Sequence, residues 1–111
     1  MPRRIVRRSP AILEQAYRLF PAERSTEGKP SYNDFEQGPL LGAETAFSLN
    51  FEAQREPVEG VGSIRYVMIP PTVFFGPIVI YACLLSDETV ELVSLIHDEG
   101  YWERIGEDPI D

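Results

Sequence analysis

The sequence predicts an α+β domain of order β-α-α-β-β-β, with two helices packed on a mainly antiparallel four-stranded sheet. Three observations carry that prediction. Two apolar, β-type runs, Ile78–Leu85 and Thr89–His97, flank the polar turn Ser86-Asp87-Glu88, which reads as a strand pair. Ser63–Ile69 alternates with the two-residue period of a strand, placing Ile64, Tyr66 and Met68 on one face and Arg65, Val67 and Ile69 on the other. Upstream of these strands, apolar residues recur at helical spacing in two separate stretches.

The elements follow in order. Arg3–Arg8 reads as a short edge strand with Ile5 and Val6 as its apolar members. Ser9-Pro10 starts a helix, because serine can cap and proline suits the first helical position. That helix runs to about Phe20, with Ile12, Leu13, Ala16, Tyr17 and Phe20 as its stripe, and Pro21 ends it. The polar stretch Ala22–Pro30 is a loop, and Ser31–Gln37 forms a helical turn capped by Ser31 or Asn33. Gly38-Pro39 interrupts that turn, and a second main helix spans about Pro39–Gln54, burying Leu40, Ala43, Phe47 and Phe51. Glu56–Gly62 is a loop. Ile78–Leu85 is apolar on both faces and is therefore central in the sheet. In Thr89–His97, strict alternation groups Val90, Leu92 and Ile96 on one face and Val93, Leu95 and His97 on the other. The tail from Arg104 to Asp111 is short, acidic and frayed.

The 111 residues suit a single domain, 1–111, with one core. Hydrophobic content of 43% and charged content of 25% are those of a globular chain rather than a disordered one. The uncharged run Tyr66–Ser86 approaches the length of a membrane span, but Pro70, Pro71, Gly76 and Pro77 would break a helix within it. Two strands and a proline-rich loop are the reading. The basic start MPRRIVRRSP has no apolar stretch after it, so it is not read as a secretory leader. The one cysteine, Cys83, cannot form an internal disulfide, and no Cys/His cluster has zinc spacing, which fits a cytoplasmic protein without metal or cofactor.

Net charge is −8 and unevenly spread. Arg3, Arg4, Arg7 and Arg8 are four of the ten basic residues, whereas Asp87–Asp111 carries nine acids against Arg104 alone. Phosphate contacts need Lys and Arg, so nucleic-acid binding is disfavoured and could rest only on the N-terminal arginines, Arg7 and Arg8 among them. Those arginines also suit a solvated edge strand kept apart by charge.

Motifs for nucleotide, zinc-protease, serine-hydrolase and dithiol chemistry are absent from the sequence. Candidate chemistry gathers at one strand end. His97, the only histidine, could act as a general base; its ordinary role would be a hydrogen bond to a backbone carbonyl. Tyr101 and Trp102 could anchor a partner or close the core. A Cys83–His97 dyad is conceivable on neighbouring strands, although no cation stands near Cys83 to activate its thiol. Arg65, mid-strand, could pair with an acid or hold an anion. Phe74 and Phe75, in the uncharged Pro70–Pro77 loop, form a docking surface if exposed and close the core if they point inward.

The order of elements, the opening IVRRSPAILEQA and the ending TVELVSLIHDEGYW together resemble the RelE/ParE superfamily of bacterial toxin–antitoxin toxins. The resemblance implies a cytoplasmic toxin paired with a small antitoxin protein. In its ribonuclease branch it implies catalysis by residues standing where Arg65, His97 and Tyr101 stand. The departures matter. The strand IVIYACLL carries no basic residue, Asp98 and Glu99 replace a basic pair after the histidine, and the only lysine is Lys29, in a loop. Cleaving RNA needs cations around the reacting phosphate. The expectation is therefore a diverged member that acts by protein contact. An mRNA-cleaving endoribonuclease and a small non-toxic α+β interaction domain are the alternatives, and a homodimer is a further partner state left open.

Overall fold

The computed structural model describes residues 3–26, 29–73 and 75–107, the last two of them as backbone only. Strands β1 (Ile5–Arg8), β2 (Ile64–Ile69), β3 (Ile78–Leu84) and β4 (Thr89–His97) form one sheet of order β1-β4-β3-β2. β1 runs parallel to β4, and the other two pairings are antiparallel. The predicted α+β architecture is thus present, as a mixed sheet with β3 and β4 central.

Helix α1 (Pro10–Leu19) begins as the sequence requires: the Ser9 side chain accepts the Ile12 N–H at 3.0 Å, with proline in the first turn. Ile12 and Ala16 are buried, and Phe20 closes the helix with its N–H on the Ala16 carbonyl. Tyr17, expected in the buried stripe, is exposed instead and rests on Tyr32, with ring centroids 4.5 Å apart.

The expected break at Gly38-Pro39 does not occur. Helix α2 (Tyr32–Phe35), capped reciprocally by Ser31 and Asp34, continues through a π turn at Glu36–Leu40 into α3 (Leu41–Asn50). Pro39 has no N–H to donate, and the wider π turn carries the chain past it without unwinding. A 3-10 turn, Phe51–Ala53, follows. Leu40, Ala43, Phe47 and Phe51 are all buried, as their spacing predicts.

The largest correction concerns β4. Tyr81 pairs with Ser94 but Ala82 pairs with Leu92, so Val93 is an extra residue, a β-bulge. The bulge resets the alternation. Val90, Leu92, Leu95 and His97 all turn toward the helices, while Ile96 turns away and is 56% exposed. β1 ends opposite Leu92, and beyond that point the Leu95 N–H is taken by the Gln15 side chain of α1 at 3.0 Å.

One core results, between the helices and a single face of the sheet. Ile78, Ile80 and Ala82 of β3 and Val90, Leu92 and Leu95 of β4 face Ile12, Ala16, Phe20, Phe35, Leu40, Ala43 and Phe47. α3 also shields the β1 edge. The outward N–H of Arg4 donates to the Ser48 carbonyl, and the Ser48 hydroxyl donates to the Arg4 carbonyl. Arg4 and Glu52 form a two-pronged pair beside this contact.

The C-terminal stretch is not a frayed coil within the described residues: helix α4 spans Tyr101–Glu107. The Tyr101 N–H donates to the Asp98 carbonyl, and the Arg104 guanidinium pairs with the Asp98 carboxylate. Residues 108–111, the rest of the expected tail, lie outside the described residues. Among the described residues no helix is long and apolar enough to cross a membrane.

Candidate functional site

His97, Phe75, Tyr101 and Trp102 meet at one end of the sheet. The bulge at Val93 turns the His97 ring toward the helices, against Phe20 at 5.3 Å and Phe75 at 6.0 Å between ring centroids. Neither ring nitrogen has a hydrogen-bond partner among the described residues, so the expected bond to a backbone carbonyl is not there. Burial pushes the imidazole pKa below its ordinary value; the nearby Glu99 and Asp98 carboxylates act the other way, and Lys29 acts with burial. The apolar setting disfavours the protonated imidazole.

Gly76 ties the site together. A Cβ at this position would lie 2.0 Å from the Asp98 carbonyl oxygen and 2.9 Å from the Tyr101 Cβ. Only glycine allows the Pro70–Pro77 loop to pass so close to the turn after β4. Trp102 fastens the same loop, its indole N–H donating to the Thr72 carbonyl at 2.7 Å and the Phe75 carbonyl at 3.3 Å. Tyr101 packs edge-on against Trp102, 5.0 Å between centroids. Phe75 is 5% exposed and points inward, closing the core. Phe74 lies outside the described residues. The exposed apolar surface here is Val73, 89% exposed, and the ring of Trp102, 47% exposed; with Pro71 and Thr72 they line a shallow groove of 470 Å³.

Arg65 is not part of this group. It pairs with Ala82, whereas His97 pairs with Ile78, four positions along β3, a separation of at least ~13 Å. Its guanidinium donates to the carbonyls of Gly62, Gln54 and Glu52 at 2.9, 3.0 and 3.1 Å, lies 3.5 Å from the Glu56 carboxylate, and stands over the Phe51 ring. The side chain clamps the loop before β2. Cys83 is also remote from His97. It pairs with Glu91, and its position on β3 places it on the opposite face of the sheet, so no dyad forms.

Arg7 and Arg8 are likewise engaged. Arg8 meets Glu44 with two prongs, at 3.0 and 3.1 Å, and Glu36 at 2.6 Å, and these partners raise its pKa further above the ordinary range. Arg7 pairs with Glu91 at 3.0 Å across the β1–β4 ladder. Among the described residues no group of three His, Cys, Asp or Glu side chains could hold a metal ion.

The feature that sequence reasoning missed is the other face of the sheet. The strand that is apolar on both faces is central, as expected, and the helices cover one of its faces among the described residues. On the open face the register aligns three rows: Met68–Val79–Ile96, then Tyr66–Tyr81–Ser94, then Ile64–Cys83–Glu91 with Arg7 beyond. The first two rows carry no charge. The signal for this lay in the alternation itself, because the outward positions of β2 and β3 are as apolar as the inward ones.

Comparison with family models, with characterised proteins and with solved structures finds no match to this chain.

Proposed function

We propose that this chain is a diverged RelE/ParE-like module of the bacterial cytoplasm that works by protein contact, paired with a small antitoxin-type protein, and that it is not an efficient ribonuclease. One observation carries the reading. Arg65, His97 and Tyr101 do not converge: Arg65 is spent on loop carbonyls at the far end of β3, and His97 sits among aromatic rings with acids beside it. Phosphodiester cleavage needs cations gathered at the reacting phosphate, and this strand end offers carboxylates.

The partner contact fits the groove of Pro71, Thr72, Val73 and Trp102. Glu99 and Glu103, on either side of Trp102 in the chain, are exposed, and the chain as a whole is acidic. The complementary partner segment carries an apolar side chain for the groove, flanked by Lys or Arg for these carboxylates.

The test is expression with and without the small protein encoded beside it, reading growth, message integrity and co-purification. Growth arrest with intact messages, relieved by a neighbour that co-purifies and loses affinity for Val73→Asp, is the expected result. Cleaved messages that recover in His97→Ala and Tyr101→Phe would replace the reading with the endoribonuclease. Harmless expression without any such neighbour would leave a non-toxic interaction domain.

A further inference from the structure

We propose that His97 is the latch of an acid-opened strap: the Pro70–Pro77 loop and helix α4 close over the unprotonated ring, and they lift from the end of the sheet when the ring takes up a proton. The inference rests on how one side chain is enclosed and does not depend on the proposed function.

Two aromatic rings make the enclosure. Phe20, just after α1, and Phe75, in the loop, flank the imidazole at 5.3 and 6.0 Å between centroids. Both ring nitrogens are buried, and neither has a hydrogen-bond partner among the described residues. An unpaired buried polar atom already costs stability. An imidazolium adds a second N–H donor and a full charge, and the closed arrangement receives neither. The protonated ring must therefore reach water or a carboxylate.

The loop is the part that gives way. Phe20 is anchored in the core: its ring stacks on Phe35 at 4.7 Å, and its N–H bonds the Ala16 carbonyl at 2.9 Å. Phe75 stands instead on an irregular segment. That segment is tied to the turn after β4 by the Asp98 N–H on the Pro77 carbonyl, at 3.1 Å, and by the Trp102 indole on the Thr72 and Phe75 carbonyls. Segments held by so few bonds are where local opening occurs. Gly76 couples the pieces. It leaves no room for a Cβ against the Asp98 carbonyl and Tyr101, so the turn that follows His97 and the start of α4 shift together with the loop.

The surrounding charges set the sign. Glu99 and Asp98, on the turn after β4, favour the protonated ring, and Lys29, in the loop before α2, opposes it. Asp98 is already paired with Arg104 of α4, whereas Glu99 is exposed. On α1, Glu14 and Arg18 pair with each other in solvent, and the Pro70–Pro77 loop carries no charge. Burial outweighs the carboxylates, so the closed-state pKa lies below the ordinary 6.5. The released ring returns toward that ordinary value. Below pH 6.5 opening therefore takes up a proton, and the open fraction grows as pH falls, by at most about tenfold per pH unit, until the closed-state value is reached.

Hydrogen exchange followed by NMR, corrected for the intrinsic pH dependence of exchange, reads this opening on the full chain and on His97→Phe and Glu99→Gln. The amides of Thr72, Phe75, Asp98 and Tyr101 report the strap, and those of β3 and β4 report the core. His97 is the only histidine, so its ring C–H signals give its titration without ambiguity. Between pH 7.5 and pH 5.5 strap protection should fall severalfold, with about tenfold as the limit for one proton. The strap amides should ignore low urea, as local openings do, while the core amides respond to it. His97→Phe keeps an aromatic ring in place and should remove the pH dependence. Glu99→Gln, at an exposed position, should lower the His97 midpoint and carry the fall in strap protection to lower pH with it; circular dichroism checks that both variants fold. Strap protection that is constant with pH in the parent chain, the same fall in His97→Phe, strap amides that open only together with the core, or a strap response that does not follow the His97 midpoint in Glu99→Gln would each overturn the inference.

Discussion

At the scale of single residues, the same strand end yields two sharp consequences. His97 lies between Phe20 and Phe75 without a hydrogen-bond partner among the described residues, and burial puts its pKa below the ordinary 6.5. The unfolded chain therefore binds a proton more readily than the folded one in the window below pH 6.5, and stability rises with pH through that window. The contribution is fully present above pH 6.5 and is lost as pH falls toward the folded-state value. Asp34, held down to about 2 by Arg24 and the Ser31 N–H, and Asp98, lowered by Arg104, add a loss of the same sign, which sets in only as pH falls toward the ordinary carboxylate value of about 4. Urea unfolding at pH 7.5 and pH 5.5 should show the loss in the parent chain and a flat response in His97→Phe; equal slopes in both would refute it. Gly76 gives the second. Gly76→Ala drives a methyl group into the Asp98 carbonyl and should cost roughly 3 kcal/mol or more. Gly38→Ala meets nothing within 4 Å beyond its chain neighbours, but it sets a Cβ in helical backbone directly before Pro39, where the proline ring crowds it; it should still cost less than Gly76→Ala. The ranking of the two unfolding midpoints is the check.

At the scale of elements, the β-bulge at Val93 decides which side chains form the core. Deleting Val93 would join Leu92 directly to Ser94 in a regular ladder, with Leu92, Leu95 and His97 still facing the helices and Ser94 and Ile96 still facing away. The deletion should therefore leave unfolding cooperative, and Val93→Ala, which keeps the extra residue, should cost about 1 kcal/mol; calorimetry checks both, and loss of the transition on deletion would show that the bulge itself is needed. The bulge also marks where the sequence ceased to be legible. Ser9-Pro10, the Ser31 cap and the spacing of Leu40, Ala43, Phe47 and Phe51 could be read directly, because caps and helical periodicity are local. The strands of the hairpin could be read for the same reason. A bulge leaves no compositional mark in TVELVSLIH, so the facing of Leu95, Ile96 and His97 inverted. The π turn at Glu36–Leu40 was hidden because proline ordinarily ends a helix, and α4 was hidden because YWERIGE is held by Asp98 and the Trp102 bonds to the preceding loop rather than by its own pattern. The site was legible as a location, His97 with Tyr101 and Trp102, but not as an environment. Arg65 could not be placed at the opposite end of β3 until the register was known.

At the scale of the whole molecule, charge and apolar surface are kept apart. Several basic side chains are paired with neighbours in the fold: Arg4 with Glu52, Arg7 with Glu91, Arg8 with Glu36 and Glu44, and Arg65 with loop carbonyls and Glu56. The chain is acidic in balance, at net −8, and two rows of the open sheet face carry no charge. Binding of a basic partner at the groove of Pro71, Thr72, Val73 and Trp102, the proposed contact, should weaken as salt rises, because salt screens an attraction to a chain of net charge −8. Titration of the partner from low to moderate sodium chloride measures the slope, and binding indifferent to salt would show that apolar contact alone holds the partner.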